Sequence, residues 1–254
     1  MASRILLLNP NSAADLTDRL LLQAAEFARA DTAFLGRTAR FGARHIGSRT
    51  AFAIAGHAAI DLAAAWFAEP SQAPVQAAIL ACFGDPGLEA LREICPFPVL
   101  GLADAAIREA AMRGRFSIVT GGAAWVPMLQ ELADRLGVGG QLASIRTLPA
   151  TGIAIGNDPD RFLEPLGEAA CACVESDGAE RVILGGAGLV GFAARLAPRL
   201  PFPLIDCLEV AVRQAEALAD GDTTGTPSPA YATVETVGLS PALERLLAGD
   251  RGAS

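Results

Sequence analysis

Short runs of consecutive apolar residues alternate with longer Ala- and Leu-rich segments along most of this chain. The runs "RILLLN" (4–9), "AAILAC" (77–82), "PVLGL" (98–102) and "RFSIVTGG" (115–122) are too short for helices. Being apolar on both faces, they have the pattern of strands covered on two sides. Between them the spacing predicts helices near 13–30, 53–68, 87–93 and 104–113, and the alternation resumes after 122. Strands and helices in such alternation predict an α/β fold with parallel sheets. Turn formers dominate 220–238, which reads as a loop, and "SPALERLLAG" after it reads as a helix capped by Ser240 with Pro241 in its first turn.

The pattern repeats. Setting "AILACFGDPG" against "VILGGAGLVG" pairs Cys82 with Gly186, Gly84 with Gly188 and Gly87 with Gly191, each 104 residues apart. One more residue of shift pairs Pro98 with Pro203 and Ala106 with Ala211. The two openings, "RILLLNP" and "RFSIVTG", match with Arg4 and Arg115 lying 111 residues apart. Ordered matches of Gly and Pro argue for two similar units. The expected division is an N-terminal lobe over 1–113, a second lobe over 114–219, and a loop with a C-terminal helix over 220–254, the helix packing back onto the first lobe. Ligand-binding turns in such lobes lie at the carboxyl ends of the strands, so a shared site belongs in the cleft between them.

Composition narrows the chemistry. The 254 residues are 52% hydrophobic and only 19% charged, with a net charge of -8, which argues against nucleic acid or an anionic membrane surface as partner. The longest apolar tract, 51–68, is Ala-rich and interrupted by His57 and Asp61, so it reads as a core helix. The apolar run near the N-terminus is too short for a signal sequence. Five scattered cysteines suit a reducing cytoplasm better than a disulfide framework. With His45 and His57 as the only histidines, and Cys171 and Cys173 two apart on a helix, no metal site is expected; both thiols read as buried. His57, on an apolar helix, reads as a core histidine.

Two motifs carry competing readings. "GAGLVG" (186–191) satisfies G-x-G-x-x-G after a strand, with Asp206 standing 20 residues after Gly186 where a dinucleotide site places its ribose acid. Only 48 residues follow Asp206, too few for the rest of a mononucleotide-binding half, so the glycines are better explained by the repeat. Cys82 is either a small buried hydrophobe or an active thiol. At a strand end, with the amides of a Gly-containing turn just after it, its pKa is expected to fall from about 8.5 toward neutrality, and the same amides suit an enolate oxygen. The "NPNS" turn (9–12) caps a helix and also offers an Asn amide for a carboxylate or imide.

Taken together, "LLLNPNS", "ACFGDPGL", "VILGGAGL" and "PLIDCLEVAV" resemble the motifs of the aspartate/glutamate racemase superfamily, most closely its hydantoin and allantoin racemase branch. The resemblance implies two Rossmann-like lobes related by pseudo-twofold symmetry, an active site in the interlobe cleft, and no cofactor. It further implies a racemase or epimerase of an amino-acid-derived or hydantoin-like carbon acid, with a small-molecule substrate bearing a carboxylate or imide, and a homo-oligomer. Carried over by position, Cys82 becomes the thiol acid/base, Pro10, Asn11 and Thr120 line the site, and the amides around Phe83, Gly84, Gly186 and Ala187 hold oxygen. The family's second thiol falls at Gly186, which has no side chain; Cys207, then His57, are the nearest substitutes in sequence. A single thiol also suits a decarboxylase of a malonate-like diacid, similar to arylmalonate decarboxylase. A third alternative is a non-catalytic small-molecule-binding protein on a racemase scaffold.

Overall fold

The computed structural model describes residues 3–69, 74–221 and 232–249. Among these residues, eight strands form two four-stranded parallel sheets. The first contains β1 (Arg4–Asn9), β2 (Ala33–Thr38), β3 (Ala77–Leu80) and β4 (Val99–Gly101), in the order β2-β1-β3-β4. The second contains β5 (Phe116–Gly121), β6 (Leu142–Leu148), β7 (Arg181–Leu184) and β8 (Leu204–Asp206), in the order β6-β5-β7-β8. In the first half the helices are α1 (Ala14–Phe27), α2 (Arg49–Phe67), α3 (Leu88–Ile94) and α4 (Leu102–Ala111). Those of the second are α5 (Trp125–Arg135), α6 (Gly152–Asn157), α7 (Pro159–Glu175), α8 (Phe192–Leu196), α9 (Cys207–Asp220) and α10 (Pro241–Leu247).

The repeat seen in the sequence is written into the backbone hydrogen bonds. Gln76 N donates to Arg4 O (2.9 Å), as Glu180 N does to Arg115 O (2.9 Å). Ala81 N to Leu8 O (2.8 Å) matches Gly185 N to Val119 O (2.9 Å), and Ala78 N to Pro98 O (2.9 Å) matches Val182 N to Pro203 O (3.1 Å). Each pair obeys the residue offsets read from the Gly, Pro and Arg positions. Both lobes thus solve strand pairing in one way, and their central strands β1, β3, β5 and β7 are almost wholly buried.

The lobes interlock. Helix α4 follows β4 yet packs against β7 and α9, while α9 follows β8 and packs against β3 and α1. One apolar cluster therefore runs through both sheets, joining Ile5, Leu7 and Ile79 to Phe116, Ile118 and Ile183 by way of Ile107 and Leu208. Burial of continuous apolar area across the seam fixes the relative placement of the strand ends. Helix α2 begins earlier than the apolar tract suggests because the Ser48 side chain accepts a hydrogen bond from Ala51 N (3.2 Å). Among the described helices it alone has the length and composition to cross a membrane, but Ala59, Leu62, Ala63 and Trp66 bury its face in the core. Ser240 caps α10 through Leu243 N (3.2 Å), and Leu243 and Leu246 seat that helix on α2. Of the predicted loop at 220–238, residues 222–231 lie outside the described residues.

Candidate active site in the interlobe cleft

Parallel strands deliver their carboxyl ends to one side of each sheet, and here the two sides meet. Cys82 follows β3, Thr120 is the penultimate residue of β5, and Asn11 and Gly186 lie just beyond β1 and β7. These side chains and turns line a cavity of about 60 Å³ together with Phe83, Ala187, Trp125 and His45. Of the residues expected from sequence, Asn11, Cys82, Phe83, Thr120, Gly186 and Ala187 are on the wall, whereas Pro10 and Gly84 are not. Pro10 is buried behind it. Gly84 has a supporting place: at φ +136° it lacks the side chain that would meet the Trp125 ring at 2.4 Å, so the indole closes over the turn. Phe83 reaches across the seam and lies on Gly185, where a Cβ would sit 2.4 Å from the ring.

The two cleft turns are built alike. Cys82 O accepts from Asp85 N (3.1 Å), and Gly186 O accepts from Leu189 N (2.8 Å). Among the described residues, no backbone or side-chain acceptor takes the amides of Phe83, Gly84, Gly186 or Ala187. Uncommitted amides at a cleft turn are donors for an oxygen that gains charge. Asn11 is oriented by its own hydrogen bonds: Oδ1 accepts from Ala13 N (2.9 Å) and Asn9 Nδ2 (3.1 Å), so its Nδ2 is the end left as a donor.

A family model described as Asp/Glu/Hydantoin racemase matches residues 5–215, both lobes included. The chain belongs to the Asp/Glu/hydantoin racemase family. It is 38% identical over 221 residues to a hydantoin racemase of Paenarthrobacter aurescens, covering 85% of this chain and 90% of that one. It superposes on allantoin racemase from Klebsiella pneumoniae with a TM-score of 0.79 at 29% identity, covering 85% of this chain and 87% of that one. A crystal structure of arylmalonate decarboxylase shares the fold at a TM-score of 0.56 and 17% identity, over 89% of this chain and 96% of that one. The protein is an isomerase of the racemase type.

Within this racemase fold, protonation is governed by burial. Burial, followed by the charge of Asp85, pushes the Cys82 thiol up, opposite to the shift expected from the turn amides alone. The amides are present, but Cys82 is only 6% exposed, and among the described residues no lysine or arginine lines the wall to offset the lost hydration. Asp85 itself, in the left-handed region at φ 57°, accepts from Ala103 N (3.1 Å) and Asp104 N (2.6 Å) at the start of α4. Burial pushes its carboxyl up to about 7, with both amides pulling the other way.

The remaining candidates fall elsewhere. Asp206 cannot serve a ribose, because its carboxylate accepts from Gly191 N (2.6 Å), Leu208 N (2.9 Å) and Glu209 N (3.4 Å), tying the turn after β7 to α9. The first lobe makes the same joint from the other end: a Cβ on Gly101, which closes β4 as Asp206 closes β8, would lie 2.3 Å from Asp85 Cγ. Cys207 is sealed in the core with Sγ 4.0 Å from Gly186 O, and it is absent from the cavity wall. His57 is exposed on α2, edge-on to Phe41 at 5.1 Å, so the core reading was wrong: its helix face points outward there. Cys173 is buried as expected, while Cys171 is only partly so.

The sequence reasoning missed His45 and Trp125. Trp125 opens α5, a helix it did not specify after the strand that it did. His45 stands in the connection after β2, a half-exposed edge strand whose "AFLGRT" pattern lacks a long apolar run. Recognition of that strand would have placed its following loop at the ligand end of the sheet.

Proposed function

We propose that the chain is a cofactor-independent racemase or epimerase of a hydantoin-like or amino-acid-derived carbon acid, with the Cys82 thiol as an acid/base at the α-carbon. The observation that carries this reading is the position of Cys82, at the end of β3 on the wall of a cleft whose two turns both present uncommitted amides. A planar carbonyl or imide between the lobes fits such donors. As a proton leaves the neighbouring carbon, charge moves onto the oxygen, and amides already in place stabilise it without reorganisation. Asn11 Nδ2 and Thr120 add polar contacts on the same wall. The names of the relatives, hydantoin racemase and allantoin racemase, support cyclic ureides as the substrate class.

Purified protein in deuterium oxide, given single enantiomers of 5-substituted hydantoins, allantoin and amino acids, tests the reading. The expected result is loss of optical rotation with one α-deuterium gained. Absence of exchange across the panel overturns it, and release of carbon dioxide from a malonate-like diacid with stereochemically pure product would replace it with a decarboxylase.

A further inference from the structure

We infer that His45 is the second proton carrier of the cleft, acting on the face of the α-carbon that Cys82 does not reach. This rests on the racemase reading above. Inversion at carbon needs a proton removed from one face and another supplied to the opposite face. A single thiol serves one face. Among the described residues lining the cavity, the titratable side chains are Cys82 and His45; the rest are apolar, glycine, Asn11 or Thr120. Gly186 contributes no side chain, and Cys207 is sealed beneath it.

His45 is held where it can act. Its connection is tied to the end of β1 by Ser12, whose N donates to Ala43 O (3.2 Å) and whose Oγ donates to Gly42 O (3.2 Å). On the other side, Ile46 is buried in the core and Ser48 caps α2. The imidazole therefore lines the cleft, as Asn11 does. A Cβ on Gly47 would lie 2.7 Å from Nε2, so the glycine makes room for the ring. Neither ring nitrogen has a hydrogen bond to a described side chain or backbone group, and both remain available. The neighbouring Arg44 is engaged outside by Asp15 (2.9 Å).

Burial lowers the histidine pKa as it raises that of the thiol, so the resting pair is a neutral imidazole and a protonated thiol. That pair carries one transferable proton. With one enantiomer, the imidazole takes the α-proton: the C–H bond breaks, an N–H bond forms, and the electron pair moves to the carbonyl oxygen at the turn amides. The Cys82 S–H then gives its proton to the other face of the carbanion. Imidazolium and thiolate remain, which is the protonation state that converts the opposite enantiomer. Proton exchange with solvent returns the pair to rest.

Stereochemically resolved exchange tests the assignment. In deuterium oxide the wild type should racemise both enantiomers. His45→Gln should lose racemisation by about 100-fold or more, whereas Cys82→Ala should lose racemisation yet retain α-deuterium exchange, without inversion, on the one enantiomer whose proton faces the neutral imidazole. The melting temperature of His45→Gln should stay near that of the wild type, since the ring has no hydrogen bond to lose. His45→Gln racemising within threefold of wild type overturns the proposal. So does an equal loss of exchange on both enantiomers in Cys82→Ala, because a base at position 45 would keep one of them exchanging. A wild type silent with every substrate overturns the racemase reading itself, and this inference with it.

Discussion

Gly186 sits at φ 146° and ψ 138°, in a region that glycine enters freely and an L residue enters only under strain. Its replacement by alanine separates strain from steric fit. An added Cβ would lie 3.2 Å from Leu189 Cδ1 and 3.8 Å from Thr120 Oγ1, so a small yield of one flexible leucine tip suffices for space. The backbone conformation then sets the energy, about 1–3 kcal/mol. For a chain of this size each kcal/mol lowers Tm by about 2–4 °C, so Gly186→Ala is expected to melt about 2–12 °C below wild type. Gly186→Cys carries the same strain and should melt close to the alanine variant, yet it adds a thiol to the cleft turn equivalent to that of Cys82. Scanning calorimetry gives the first comparison, and racemisation of a hydantoin gives the second. With His45→Gln as the common background, an added acid/base group at the reacting carbon is worth about 100-fold or more, so the cysteine variant should exceed the alanine variant by at least tenfold. An alanine variant as stable as wild type would refute the strain argument. Equal rates for the two variants would refute the placement of this turn against the substrate carbon.

Cys82→Ala should reduce racemisation by about 100-fold or more with a small change in Tm; retention of the racemisation rate would remove the thiol from the chemistry. Asp206→Ala leaves the Gly191, Leu208 and Glu209 amides without their acceptor and should destabilise the fold by about 2–4 kcal/mol in urea titration. With that carboxylate committed to the fold, saturating NAD or NADP should leave Tm unchanged. Burial raises Asp85 to about 7 and Asp206 to about 6, both above the ordinary 3.8. The folded state therefore binds more protons than the unfolded one between about pH 4 and 7, and stability from these groups is present at the acid end and lost as pH rises. Denaturation midpoints across that window should show the decline in wild type and a shallower one in Asp85→Asn; equal slopes would refute it.

Periodicity and the ordered recurrence of Gly and Pro determined by themselves the alternating elements, the two-lobed α/β class and the place of Cys82 at a strand end, because doubly covered strands must be apolar throughout and tight turns need particular residues. The offsets between Cys82 and Gly186 and between Arg4 and Arg115 reappear as matched hydrogen bonds. Edge strand β2 escaped notice because half-exposed residues carry no strong pattern, and His45 escaped with it. Only the tertiary structure decided that Asp85 and Asp206 brace equivalent joints from opposite ends, that Cys207 lies inside and His57 outside, and that the Cys82 thiol is raised rather than lowered. Each of these depends on what distant segments pack around a group. Local pattern specifies which residues form strands and turns, but hydration and neighbouring charge, which set protonation and reach, arise only when the interlocked helices α4 and α9 bring the two lobes together.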